Sequence, residues 1–155
     1  MMNIALAPEV ILEAMKEHEQ ALARLYELYA AKFLEYKGFW TELSHEEVQH
    51  AGWIDQLQAD IEGSSEDFIV ERFPLGAIQR STEFVKEQAD TADQPGFVFI
   101  NALSTALRLE EALMENKYFE VIETDSAKTK HTLAILTRST QEHYQRIRQL
   151  WLQHK

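Results

Sequence analysis

Residues 39–51 read Phe-Trp-Thr-Glu-Leu-Ser-His-Glu-Glu-Val-Gln-His-Ala. The stretch holds two Glu-x-x-His pairs, Glu42 with His45 and Glu47 with His50. On a helix, residues three apart share one face, so each pair could offer a carboxylate and an imidazole together. Helical phase separates the two pairs. Glu47 and His50 continue the stripe Trp40, Leu43, Ile54, Leu57, Ile61 and therefore face a core, whereas Glu42 and His45 fall off it. The competing reading of Glu47 is a capping box opening at Ser44, but Phe39 to Leu43 already carry the same stripe upstream.

Three further segments alternate apolar residues at steps of three and four. The first follows Pro8 and runs Leu12, Met15, Glu19, Leu22, Tyr26, Tyr29, Phe33. The third follows Pro95-Gly96 and reads Phe97, Ile100, Ser104, Leu107, Glu111, Met114, Tyr118, Val121. The last follows Thr124-Asp125-Ser126 and reads Leu133, Leu136, Thr140, His143, Ile147, Leu150. The predicted helices span about 8–33, 38–62, 96–123 and 127–153. Short connections make two antiparallel hairpins, and residues 63–95 form a long crossover with its own helical stretch, Leu75 to Gln88. The expectation is one all-α domain over residues 1–155, a four-helix bundle whose second and third helices run parallel.

Composition agrees. The 155 residues are rich in helix formers and hold only 5 Gly and 3 Pro. A net charge of −11 argues against a nucleic-acid groove. No cysteine is present, which rules out disulfides, thiolate metal sites and a rubredoxin-type iron centre within this sequence. No basic-flanked apolar run opens the sequence, so no signal peptide or membrane span is expected, and the expected location is the cytoplasm.

Each stripe turns polar near its middle. A helix of about 24 residues is roughly 35 Å long, so these polar positions would share one layer between apolar ones. The hairpins also look like copies: Glu19 precedes Glu47 by 28 residues and His50 by 31, while Glu111 precedes Thr140 by 29 and His143 by 32. Carboxylates buried without partners each cost several kcal/mol, and no Lys or Arg occupies a central stripe position, although Arg108 flanks one. Raised pKa values, penetrating water or bound metal are the remedies, and metal compensates acids and histidines together. In the third helix the neighbours Glu110 and Glu111 compete. The Glu110 phase would bury Lys117 and Glu120, whereas the Glu111 phase buries Tyr118 and Val121.

The segments 19–26 (Glu-Gln-Ala-Leu-Ala-Arg-Leu-Tyr), 39–51 and 110–118 (Glu-Glu-Ala-Leu-Met-Glu-Asn-Lys-Tyr) resemble the rubrerythrin branch of the ferritin-like superfamily, with Gln-Glu-His-Tyr (141–144) matching less well. The resemblance implies a diiron-carboxylate centre with Glu19, Glu47, His50, Glu111 and His143 as metal ligands. It implies iron, one or two ions, in a protein that reduces peroxide or oxidises ferrous iron. Two departures stand out. Thr140 occupies the position of the Glu in the second Glu-x-x-His, and Glu142, beside His143, points elsewhere on the helix. A rubredoxin-like domain is also missing from the sequence, so electrons would come from a separate donor.

Three functions are therefore expected in competition. The first is an iron-binding oxidoreductase reacting with dioxygen or peroxide. The second is a non-catalytic mononuclear metal-binding protein. The third is a metal-free helical interaction module, with Phe39-Trp40 and Phe97-Val98-Phe99 supplying a homodimer surface. Neither nucleic acid nor membrane is an expected partner.

Overall fold

The computed structural model describes residues 8–63, 69–70, 75–115 and 122–155. They form five α-helices: α1 (Pro8–Lys32), α2 (Lys37–Glu62), α3 (Leu75–Ala92), α4 (Phe99–Glu115) and α5 (Ala127–His154). The fold is all-α. Two two-residue strands, β1 (Ile69–Val70) and β2 (Ile122–Glu123), pair antiparallel with Val70 opposite Ile122.

Local chemistry sets the ends. Pro8 opens α1 with a fixed φ and no wasted N–H, and Glu9 and Lys32 complement the two ends of its dipole. A single 3₁₀ turn, Leu34–Tyr36, reverses the chain, with Phe33 N–H donating to Tyr29 O at 2.8 Å. Gly63 ends α2 by donating to Ala59 O at 3.0 Å. Ser126 caps α5, its Oγ accepting from Thr129 N–H at 3.2 Å.

Packing directions follow from side-chain partners. Trp40 meets Tyr29, Ser44 Oγ donates to Ala23 O at 2.7 Å, and Asp55 pairs with Lys16 at 3.0 Å. Residue numbers thus rise on α2 as they fall on α1, and the two helices run antiparallel. Ser104 with Trp151 and Glu110 with His143 give the same relation for α4 and α5. Pairs such as Glu46–Arg146 and Asp60–Lys128 give it for α2 and α5. The helix α3 lies along α1, joined by His18 Nε2 and Ser81 Oγ at 2.8 Å and by Lys32 Nζ donating to Ala92 O.

All seven residues of the stripe from Trp40 to Ile61 are buried, as are those of α1 from Leu12 to Tyr29. Ser44 does not open a helix, because α2 begins at Lys37. One end of the core is aromatic, with Tyr29, Phe33, Trp40, Phe97 and Phe99 in mutual contact. The clusters expected to form an outward surface are thus mostly turned inward. Trp40 is fully buried and only Val98 is well exposed.

The third predicted helix needs two corrections. It starts at Phe99 rather than 96 and is described as far as Glu115, and residues 122–123 are the strand β2 rather than helix. Its buried face is Ala102, Leu103, Ala106, Leu109, Glu110 and Leu113, one residue out of phase with the expected stripe. The alanines explain the shift: a face with two small residues lets a neighbouring helix approach closely. Lys117, Tyr118, Glu120 and Val121, which weighed in the choice of phase, lie outside the described residues.

Candidate metal centre

Four helices deliver the central polar layer. Glu19 comes from α1, Glu47 and His50 from α2, Glu110 from α4, and Thr140 and His143 from α5. Each is 3% exposed or less. Four of the five expected ligands are brought together. The fifth, Glu111, is exposed, and Glu110 stands in its place because α4 turns its Leu103–Ala106–Leu113 face inward. Arg108 is exposed as well, so among the described residues no flanking guanidinium neutralises the acids.

Glu47 is the hub. One of its oxygens, Oε1, accepts from His143 Nδ1 at 2.8 Å, and the other, Oε2, lies 3.2 Å from His50 Nδ1. Beyond each histidine stands a second acid: Glu19 Oε2 is 3.8 Å from His50 Nδ1, and Glu110 Oε1 is 3.5 Å from His143 Nδ1. The imidazoles stack nearly parallel at 5.0 Å between centroids. Two half-sites result, Glu19–His50 and Glu110–His143, sharing Glu47. Glu47, His50 and His143 by themselves bring donor atoms within 4.8 Å of one another.

Outer contacts orient these groups. His50 Nε2 is hydrogen-bonded to Ser139 Oγ at 2.7 Å, and the His50 ring stacks on Trp53 at 5.7 Å. Tyr26 donates to Glu110 Oε1 at 2.8 Å. On the other flank His143 Nε2 lies 3.7 Å from Glu46 Oε2, which is gripped by Arg146 at 2.6 Å. Partners on the far ring nitrogen are what hold a metal-ligating histidine in place. Reading the sequence missed Tyr26, Ser139, Glu46 and Arg146 as supports. Ser139 and Arg146 lie one helical turn from His143, a spacing that could have flagged them.

Electrostatics show the strain of the arrangement. Burial and the charge of Glu47 raise the Glu19 pKa to about 8. Burial opposes a charged His50, but the negative Glu47 and Glu19 outweigh it and raise its pKa to about 11. His143 is likewise disfavoured by burial yet raised to about 10 by Glu110 and Glu47. Burial and Glu110 push Glu47 upward, but the positive His50 and the hydrogen bond from His143 leave it below its ordinary value. Burial and Glu110 raise the Tyr26 phenol well above its ordinary value.

The donors suit a hard or borderline divalent cation. Both Glu19 oxygens, Glu47 Oε2, Glu110 Oε2 and His50 Nδ1 are buried without a hydrogen-bond partner. Buried polar atoms are nearly always satisfied, and these five share one layer, whereas others such as Trp40 Nε1 and Thr129 Oγ1 lie elsewhere in the fold. Carboxylate and imidazole donors without thiolate fit iron, manganese or zinc. Thr140 adds little, because its hydroxyl donates to Leu136 O at 3.0 Å within its own helix. Among the described residues, no helix is long and apolar enough to cross a membrane. Comparison with protein-family models, with curated proteins and with solved structures finds no match to this chain.

Proposed function

We propose that this chain is a metal-binding protein built as a ferritin-like four-helix bundle, with α3 in the long crossover and a divalent ion or ion pair, iron by resemblance, at its centre. The observation that carries the reading is Glu47, whose two oxygens are divided between His50 and His143 while Glu19 and Glu110 leave unsatisfied oxygens beside them. Glu19, Glu47, His50, Glu110 and His143 would hold the metal. Bound iron would supply electron exchange with dioxygen or peroxide. The surrounding residues keep the centre dry, fix both Nδ1 atoms inward and place Tyr26 on Glu110. Three carboxylates leave two divalent ions with a net positive charge, which favours one ion over two or an added anion. Electrons for turnover would come from a separate donor, and the cytoplasm is the proposed compartment.

Ferrous iron added without oxygen, followed by air or peroxide, tests the reading. One to two ions per chain and a new near-ultraviolet absorption band on oxidation are expected. Stoichiometric binding with no reaction would leave a metal-binding protein without turnover. Substoichiometric binding would remove the proposal.

A second reading, a metal-free structural module, draws on one observation. The raised pKa values of His50 and His143 let two imidazolium ions offset the buried acids without metal. In that case Glu19→Gln leaves stability equal or higher and chelator has no effect on it.

A further inference from the structure

The two histidines are held differently on their outer sides. Ser139 engages His50 Nε2 at 2.7 Å. His143 Nε2 is fully buried and has no hydrogen-bond partner, and it looks outward at Glu46 Oε2, 3.7 Å away. Glu46 is 29% exposed, and Arg146 bridges it to Glu42 through contacts of 2.6 and 3.0 Å. These three residues line a surface groove between α2 and α5. A polar path therefore runs from solvent through Glu42 and Glu46 to the back of a central ligand. The guanidinium sits between the two carboxylates, where an incoming cation would also be drawn.

We infer that Glu42 and Glu46 form an outer docking site for a divalent cation, from which the central site is loaded past His143, with Arg146 as the occupant to be displaced. The inference rests on the metal-binding reading above and adds its route. The carboxylates attract the hydrated cation electrostatically, and Glu46 brings it within reach of the His143 ring. Arg146 competes for both acids and slows entry. On the other side Ser139 already engages His50 Nε2, so loading is one-sided. Charges at such an outer position change association rate far more than final affinity.

Uptake of Co²⁺ alone, followed by stopped-flow visible absorbance, tests this on the full chain. Glu42→Gln is expected to slow uptake by about threefold to tenfold and to weaken its dependence on ionic strength. Arg146→Gln is expected to speed uptake by a similar factor, and Glu42→Gln should reach the wild-type number of ions. Wild-type rates in both variants, or slower uptake in Arg146→Gln, would overturn the docking site while leaving the central site standing. A Glu42→Gln chain that loses ions at equilibrium would tie Glu42 to the central site itself and also overturn it. A wild-type chain that takes up no Co²⁺ ends both readings.

Discussion

Glu19 has neither carboxylate oxygen hydrogen-bonded and a pKa raised to about 8. Its folded value lies above the ordinary 4.5, so the folded state binds the extra proton between those limits. Stability from this group is present in acid and lost as pH rises towards 8. His50 and His143 act with the same sign. Their folded values, about 11 and about 10, exceed 6.5, so their contribution is full below that and is lost on passing through the higher values. Glu47 acts oppositely, and its contribution fades only below the usual carboxylate range. In excess chelator the protein should therefore melt highest in mildly acidic buffer and progressively lower towards alkaline pH. Glu19→Gln should flatten the limb between 4.5 and 8. Thermal scans across that range decide it, and a melting temperature that climbs steadily through neutrality would contradict the proton placement.

At the level of single helices, α1, α2 and α5 were legible from periodicity because their stripes carry bulky residues at nearly every turn. Trp40, Leu43, Ile54 and Leu57 leave no doubt which side of α2 is inside. The helix α4 was not, for a physical reason. Its inner face is partly alanine, with Ala102 and Ala106 fully buried, while Ile100, Leu107 and Met114 remain half-exposed. Hydrophobic size alone therefore pointed one residue off, and the wrong glutamate followed. The correction makes a paired prediction. Glu110→Gln should weaken Co²⁺ affinity by about tenfold or more, as loss of a charged donor would, and Glu111→Gln should leave it unchanged. Equilibrium titration of the two variants side by side checks the phase of α4, and the reverse pattern would restore the sequence expectation.

Across the whole molecule, the central layer was readable as a layer because glutamate and histidine interrupt otherwise apolar stripes at matching heights. Its supports were not. Arg146, Glu46 and Ser139 sit on mixed polar surfaces, and although the spacing of Ser139 and Arg146 from His143 hints at a role, the helix packing is what reveals their contacts. The gap at Thr140 was legible, but the direction of its hydroxyl, back onto Leu136 O, was not. Binding that favours the folded state over the unfolded one must raise stability. Saturating Co²⁺ is thus expected to raise the melting temperature, and no shift on stoichiometric binding would mean that the unfolded chain holds the ion equally well, which excludes a site built by the fold.

The donors Glu19 and His143 lie near opposite ends of the chain, with Glu47 and Glu110 between them. An ion touching all of them would stitch four distant segments into one knot. To unfold around it, the protein would have to part every one of these helices from its neighbours at once. Amide exchange in α1, α2, α4 and α5 should then slow together on metal addition, because the shared ion couples the opening of each helix to that of the others.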